Sequence, residues 1–215
     1  MTTSRTRIKI CGLREPEHAR LAADTGADAI GLVFYPESPR NLHDLQVAER
    51  IIDALPAYVM AVGLFVNASE LEVRSILEEI RLDLLQFQGD EPPDFCASFG
   101  TPYVRAVRME KGVDLVEYRR KFPGAKALLV DAHVPGQRGG TGQVFDWGAI
   151  PASHPAPLIL SGGLTARNVG RAIRKVRPWA VDVSSGVESS RGVKDPAKIV
   201  EFIRSVQRED AGQSA

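Results

Sequence analysis

The chain has 215 residues, of which 44% are hydrophobic and 25% charged, and its formal net charge is zero. This length suits one domain or two small ones, and the balanced charge gives no indication of binding to nucleic acid or to an acidic membrane. No apolar run approaches the roughly 18 residues of a membrane span, and residues 1–5 lack the apolar core of a secretion signal. We therefore expect a cytoplasmic protein without nucleic-acid or membrane partners.

Cysteine and histidine usage indicates neither a disulfide framework nor a metal centre. The two cysteines, Cys11 and Cys96, are too few for disulfide stapling or for a cysteine-ligated zinc site. The four histidines show no metal-ligand spacing, and we interpret them as surface or loop residues. The sequence therefore predicts a site without a metal ion.

Apolar, β-branched runs alternate with segments whose apolar residues recur at helical spacing. In chain order, the pattern predicts strands at residues 7–11, 29–34, 59–66, 84–88, 103–107, 127–131, 158–161 and 180–184. It predicts helices at residues 17–25, 45–55, 69–80, 114–122, 165–176 and 196–207, and a stretch too short for a full helix at 145–150. At helix N-caps or first turns we expect Asp44, Ser69, Thr165 and Asp195.

Eight strands, each followed by a helix or a short substitute, indicate a parallel sheet with right-handed crossovers. Such units can close into a barrel, so we predict an α/β fold in which residues 1–215 form a single (βα)8 TIM barrel domain. A doubly wound open sheet is the alternative that strand counting leaves open. The polar segment 209–215 is expected to be a frayed tail.

In a βα barrel, functional residues stand at the C-terminal ends of the strands and in the loops that follow. The candidates are Cys11 after strand one, Arg40 after strand two and Asp131 after strand six. Free cysteine is commonly a small buried hydrophobic residue, and arginine is commonly a solvated surface charge. Asp131 closes an apolar strand, where a carboxylate must be paired, solvated or functional. Lys9 is expected inside the barrel, in a paired structural role or a catalytic one.

The loops after strands seven and eight are rich in glycine and serine. Gly162-Gly163 and Ser184-Ser185-Gly186 would let backbone N–H groups approach an anion closely. Phosphate often binds at these two loops of a βα barrel, next to the positive end of a following helix. Ordinary tight turns would explain one such loop, but two on consecutive strands favour a phosphate site.

Several strand ends carry motifs that follow one another in a fixed order along the chain. They include Lys9-Ile10-Cys11-Gly12-Leu13, Ser38-Pro39-Arg40, Gln86-Phe87-Gln88-Gly89-Asp90, Gly139-Gly140-Thr141-Gly142, Leu160-Ser161-Gly162-Gly163-Leu164 and Asp182-Val183-Ser184-Ser185-Gly186. From about residue 7 to residue 205 the chain closely resembles the phosphoribosylanthranilate isomerase family. One motif departs from the family, because Gln88 stands where histidine is usual, and Gln88 cannot titrate near neutral pH. We infer that this position orients the substrate and is not essential as an acid or base.

The resemblance implies a cofactor-independent isomerase of tryptophan biosynthesis, monomeric or homodimeric. Its substrate would be a phosphorylated aminoaldose, N-(5′-phosphoribosyl)anthranilate, which an Amadori rearrangement converts to an aminoketose. By resemblance, Cys11 is the general base, Asp131 is the general acid, and Arg40 holds the anthranilate carboxylate. Further substrate-binding residues implied by the motifs are Gln88, Gly140, Gly162, Gly163, Asp182, Ser184 and Ser185. The phosphate would lie at the two glycine-serine loops.

This chemistry needs Cys11 as a thiolate and Asp131 as a neutral acid, which the ordinary pKa values of these groups disfavour. We expect desolvation to raise the pKa of Asp131, and helix dipoles or a cation to lower the pKa of Cys11. We also expect the two side chains to face each other across an open pocket without direct contact. Two other functions stay open. One is an isomerase of the histidine pathway, which usually carries aspartate where Cys11 stands. The other is a non-catalytic binder of a phosphorylated ligand.

Overall fold

The computed structural model describes residues 5–110, 112–132, 146–151 and 157–213. Its barrel strands are β1 (Arg7–Cys11), β2 (Ala29–Phe34), β3 (Met60–Phe65), β4 (Leu84–Phe87), β5 (Tyr103–Met109), β6 (Leu128–Ala132), β7 (Leu158–Leu160) and β8 (Ala180–Val183). The described α-helices are α1 (Pro16–Thr25), α2 (Leu45–Asp53), α3 (Glu70–Glu79), α4 (Pro93–Ala97), α5 (Leu115–Lys121), α6 (Val169–Val176) and α7 (Pro196–Gln213). A short 3-10 turn at Ser185–Val187 leads into a small hairpin of β9 (Glu188–Ser190) and β10 (Val193–Lys194).

Strand pairing decides between a closed barrel and an open sheet. Each barrel strand pairs in parallel with the next one along the chain, and β8 pairs with β1. In this register Asp182 lies beside Lys9, and Gly31 of β2 lies beside Cys11. The predicted (βα)8 barrel is therefore confirmed, and the doubly wound open sheet is wrong.

Short-range hydrogen bonds set the start of several helices. Asp44, Ser69 and Asp195 each accept a hydrogen bond from a first-turn backbone N–H, as predicted. The helix predicted from residue 165 begins only at Val169. Before it, the backbone N–H of Thr165 donates to Oδ1 of Asn168 at 2.8 Å, and the carbonyl oxygen of Thr165 accepts from the backbone N–H of Val169 at 3.0 Å. The loop after β7 therefore extends further than the sequence pattern predicts.

The expectation of a frayed tail at residues 209–215 is wrong for the part that the structure describes. Helix α7 continues to Gln213. Its Asp210 accepts hydrogen bonds from the backbone N–H and the hydroxyl of Thr6, at 2.8 Å each, and Glu209 pairs with Arg174. Polar side chains thus anchor the last helix to the start of the barrel, which the polar composition of this segment did not reveal.

The hydrophobic core lies between the barrel and its helices. Phe34, Phe65 and Phe87 lie side by side on neighbouring strands, with ring centroids 5.4 and 6.1 Å apart. Phe87 also contacts Phe95 of α4 and Phe99 just beyond it. None of the described helices is long and apolar enough to cross a membrane. This packing fixes the strand ends, and it therefore also fixes the side chains that the strand ends carry.

Candidate active site

A cavity of about 690 Å³ lies at the C-terminal ends of the barrel strands. Nine of the ten predicted site residues line it: Cys11, Arg40, Gln88, Asp131, Gly162, Gly163, Asp182, Ser184 and Ser185. The tenth, Gly140, falls outside the described residues. Barrel closure thus brings together side chains that are far apart in the sequence.

Cys11 and Asp131 contribute to this cavity from β1 and β6, which are three places apart around the ring. The two residues are only 4% and 6% exposed, so each meets the cavity through a small part of its surface. Both groups therefore belong to the wall of one cavity. The expectation that Cys11 and Asp131 face each other across the pocket without direct contact stays a prediction.

Lys9 lies two positions before Cys11 on β1, so the two side chains share the inner face of the barrel. Its Nζ donates to Oδ1 of Asp182 at 2.9 Å, and the two side chains are 7% and 5% exposed. Burial alone would lower the pKa of Lys9, but Asp182 and Cys11 raise it above its usual value. Asp182 is therefore the buried counterion of Lys9.

The surroundings of Cys11 shift the pKa of its thiol in opposite directions. Burial raises the pKa of the Cys11 thiol, and the Asp182 carboxylate adds to that effect, whereas the charges of Lys9 and Lys194 lower it. The sequence predicted a lowered pKa, but the net direction is upward because burial outweighs the two cations. The expected cations are present, and they reduce the effect of burial without overcoming it.

Asp131 lies at the end of a short chain of side-chain amides. Nε2 of Gln86 donates to Oε1 of Gln88 at 2.8 Å, and Nε2 of Gln88 donates to Oδ2 of Asp131 at 2.9 Å. Within the described part of the chain, Oε1 of Gln86 is buried and has no hydrogen-bond partner. Gln88 therefore orients the predicted acid directly, a contact that the sequence did not predict.

Arg40 is not a solvated surface charge, since it is only 7% exposed. Its Nε and Nη2 donate to the two carboxylate oxygens of Glu188, at 2.6 and 2.9 Å, and Nζ of Lys194 donates to the same carboxylate at 2.8 Å. Burial alone would raise the pKa of Glu188, but the bond from Arg40 and the charge of Lys194 lower it. One carboxylate thus holds two buried cations at the mouth of the barrel.

The two glycine-serine loops meet at one side of the cavity. Gly162 and Gly163 adopt left-handed backbone conformations, with φ of 84° and 63°. A Cβ on Gly186 would lie 1.8 Å from the carbonyl oxygen of Leu164, so this glycine allows the loops to approach each other. Because α6 begins at Val169 and not at residue 165 as predicted, its positive end lies further along the chain from Gly163.

A small apolar cluster forms another wall of the cavity. Val33, Leu64 and Val66, near the ends of β2 and β3, pack with Cys11 and with the partly buried Tyr35. This cluster is separate from the main core between barrel and helices. A flat hydrophobic group could lie against it, next to Arg40.

Sequence reasoning missed Gln86, Glu188 and Lys194 as members of this site. Gln86 lies inside a motif of the fourth predicted strand, and its polar side chain within an apolar strand was the available signal. Glu188 lies two residues beyond the motif that ends at Gly186. Lys194 carried no such signal, because its burial depends on the hairpin that folds it onto Glu188. Among the described residues, no group of three or more His, Cys, Asp or Glu side chains could hold a metal ion.

Comparison with known proteins gives matches over nearly the whole chain in sequence and in fold. A sequence model of N-(5′-phosphoribosyl)anthranilate isomerase matches residues 8–205. The chain is 53% identical to the N-(5′-phosphoribosyl)anthranilate isomerase of Azotobacter vinelandii over 201 residues, which cover 94% of this chain and 97% of the relative.

Solved structures give the same result. The phosphoribosylanthranilate isomerase of Thermotoga maritima superposes with a TM-score of 0.84 at 36% identity, covering 94% of this chain and 99% of the other. A phosphoribosylanthranilate isomerase solved in complex with reduced 1-(o-carboxyphenylamino)-1-deoxyribulose 5-phosphate superposes with a TM-score of 0.77 at 34% identity and the same coverage. The family model spans most of the chain and the relatives match it almost end to end, and so the chain belongs to the N-(5′-phosphoribosyl)anthranilate isomerase family.

Proposed function

We propose that this chain catalyses the Amadori rearrangement of N-(5′-phosphoribosyl)anthranilate in tryptophan biosynthesis, with Cys11 as general base and Asp131 as general acid. The observation that carries the proposal is one cavity that holds both groups together with Arg40 and the Gly162-Gly163 loop. The product is 1-(2-carboxyphenylamino)-1-deoxyribulose 5-phosphate. One acid and one base suffice for this reaction, so the proposal needs no cofactor.

The reaction has two proton transfers that these residues would perform. Asp131 gives a proton to the furanose ring oxygen, the C1′–O bond breaks, and the nitrogen lone pair forms a Schiff base. Cys11 then takes the proton from C2′ onto its sulfur, and the electrons of that C–H bond give the enolamine. Tautomerisation of the enolamine yields the ketone at C2′.

Substrate binding would use the two charged ends of the aminoaldose. The phosphate would bind backbone N–H groups of Gly162, Gly163, Ser184 and Ser185, as predicted for these loops. Glu188 engages Nε and Nη2 of Arg40, which leaves Nη1 directed elsewhere to donate to the anthranilate carboxylate. The anthranilate ring would then lie against the apolar wall of Val33, Leu64 and Val66.

The proposal also includes the other predictions made from the sequence. Gly140, Gln88, Asp182 and Ser184 would bind substrate, and residues 1–215 would form a single domain. The protein would be cytoplasmic and either monomeric or homodimeric. Ser184 supports the site indirectly, because its hydroxyl donates to the carbonyl oxygen of Cys11 at 3.0 Å. Gel filtration with light scattering would decide the oligomeric state.

A turnover assay with the purified chain tests the proposal against its alternatives. We expect conversion of N-(5′-phosphoribosyl)anthranilate that persists after exhaustive chelation, and loss of most turnover in Cys11→Ser with the fold retained. Cys96→Ala is the matched control, because Cys96 is buried in α4, away from the cavity. Equal turnover of the histidine-pathway aminoaldose would refute the substrate assignment. Binding of N-(5′-phosphoribosyl)anthranilate by the folded chain without any turnover would show a non-catalytic ligand binder.

A further inference from the structure

We propose that Lys9 is a positioning residue for Cys11: its ammonium group lies close to the sulfur of Cys11 and favours the thiolate form against the effect of burial. That Cys11 acts as a base rests on the proposed function, whereas the proximity of the two side chains does not. Neither the sequence motifs nor the family assignment gives Lys9 this role.

The space left by Gly31 brings the two groups together. A Cβ on Gly31 would lie 2.7 Å from Sγ of Cys11 and 2.9 Å from Nζ of Lys9. Both atoms therefore converge on the side-chain position that glycine leaves empty, within a few ångströms of each other. Gly31 pairs with Cys11 in the register of β1 and β2, so this placement follows from the barrel itself.

Three charged groups face Cys11, and they differ in what they can donate. Lys194 of β10 directs its three donors to the backbone oxygen of Ser184, the hydroxyl of Ser184 and the carboxylate of Glu188. Asp182 on β8 is an acceptor and opposes the thiolate. Lys9 gives one hydrogen bond to Asp182 and retains donors for the sulfur.

Lys9 would keep its proton throughout the reaction. Asp182 and Cys11 hold its pKa above the usual value in spite of burial, so the ammonium stays charged at the pH of catalysis. The proton from C2′ goes to the sulfur, and Lys9 changes only how readily that sulfur becomes available as a thiolate. Lys9 therefore acts through Cys11 and not on the substrate.

The test measures how fast iodoacetamide alkylates Cys11 as a function of pH. This reagent is neutral, so the charge of Lys9 does not attract or repel it, and only the thiolate reacts. In Lys9→Met we expect alkylation at neutral pH to slow about tenfold or more, because an opposite charge within about 4–6 Å favours the ionised form by roughly one to three pKa units. The midpoint of the pH dependence should move upward.

Two controls isolate the reaction at Cys11. Cys11→Ser reports the background from Cys96, whose thiol has a pKa raised to about 12 by burial and should react slowly. Lys126→Met removes an exposed lysine and should leave the alkylation profile unchanged.

Lys9→Met leaves Asp182 without its counterion, which could prevent folding. The double variant Lys9→Met/Asp182→Asn removes both charges of the pair and is the second test. Lys9 lowers the pKa of Cys11 more than Asp182 raises it, so alkylation should still be slower than in the wild type. Equal or faster alkylation in the folded double variant overturns the proposal. Because no substrate is present in the alkylation assay, its result does not depend on the proposed function. The proposed function fails separately if Cys11→Ser retains near-wild-type turnover.

Discussion

Arg40 and Glu188 form a buried ion pair at the mouth of the barrel, and Lys9 and Asp182 form another. Removing one partner of such a pair leaves the other charge buried without compensation, which is strongly destabilising. Variants at these positions therefore need a folding control beside every kinetic measurement. Lys194 offers partial compensation at Glu188, since it stays bound to the same carboxylate when Arg40 is removed.

Arg40→Ala should weaken substrate binding, because the anthranilate carboxylate loses a charge-assisted hydrogen bond worth about 1.5–3 kcal/mol. We expect kcat/KM to fall by roughly 10- to 100-fold, mostly through KM, in steady-state assays. The control is Arg20→Ala, which removes an arginine paired with Asp24 on the exposed face of α1. An unchanged specificity constant in Arg40→Ala would show that this arginine serves only Glu188.

Gln88→Leu should lower kcat, because Asp131 would lose the hydrogen bond that orients one of its oxygens. The loss of a hydrogen bond between Gln88 and the neutral acid is worth about 0.5–1.5 kcal/mol, or roughly 2- to 10-fold in rate. Gln88→His introduces the residue usual in the family, which can donate to Asp131, and should retain most activity. Equal kcat in Gln88→Leu and the wild type would mean that other contacts fix Asp131.

The residues found from the sequence and those missed differ in how far their partners lie along the chain. Cys11 and Asp131 were identified because a polar group that ends an apolar strand is visible locally. The pairing of Arg40 with Glu188 joins residues 148 positions apart, and that of Lys9 with Asp182 joins residues 173 apart. These ion pairs depend on barrel closure, so the sequence shows which residues are charged but does not predict which of them pair.

Strands were predicted more accurately than helices. Every predicted barrel strand ends within two residues of the observed one, because strands buried on both faces form continuous apolar runs. Helix α6 starts later than predicted because Asn168 binds the backbone of Thr165 and Gly163, which stabilises a longer loop. Helix α7 extends further than predicted because Asp210 bonds to Thr6, a contact that apolar periodicity does not reveal.

The approach of the loops after β7 and β8 makes Gly186→Ala informative. The added Cβ would meet the backbone oxygen of Leu164 at 1.8 Å, so the loops must separate. We expect a loss of about 1–3 kcal/mol of unfolding free energy, and several-fold weaker competitive inhibition by inorganic phosphate.

Gly100→Ala is the matched control for Gly186→Ala. Gly100 has a φ of +70° and no atom within 4 Å of an added Cβ, so alanine there should add about 1–2 kcal/mol of backbone strain without touching the cavity. Phosphate inhibition should match the wild type in this control. If both variants bind phosphate equally well, the proposed phosphate site does not depend on the contact between the loops.

At the scale of the whole molecule, barrel closure and the site depend on the same contacts. The pairing of β8 with β1 places Asp182 beside Lys9, and the hairpin after β8 brings Glu188 to Arg40. Charged groups of the cavity thus connect the beginning of the chain to its last third. Protonation of these groups should therefore affect the stability of the entire barrel and not only catalysis.

Acid should destabilise the folded chain in part through Glu188. Burial alone would raise the pKa of this carboxyl, but Arg40 and Lys194 lower it below its usual value of 4.5. A group with a lower pKa in the folded state contributes stability above its unfolded pKa and loses that contribution as the pH falls through the folded value. We therefore expect the Tm to decrease as the pH drops below about 4.5.

Glu188→Gln separates this contribution from that of the other carboxylates. Its Tm at pH 7 should be lower than that of the wild type, because Arg40 and Lys194 lose their shared counterion. Its further decrease on acidification should be smaller, because the amide has no proton to gain. Thermal melts across the acid range test this, with Glu49→Gln on the exposed face of α2 as a control that should follow the wild type. Equal losses of Tm on acidification in Glu188→Gln and the wild type would show that other carboxylates dominate, and that Glu188 serves to position Arg40.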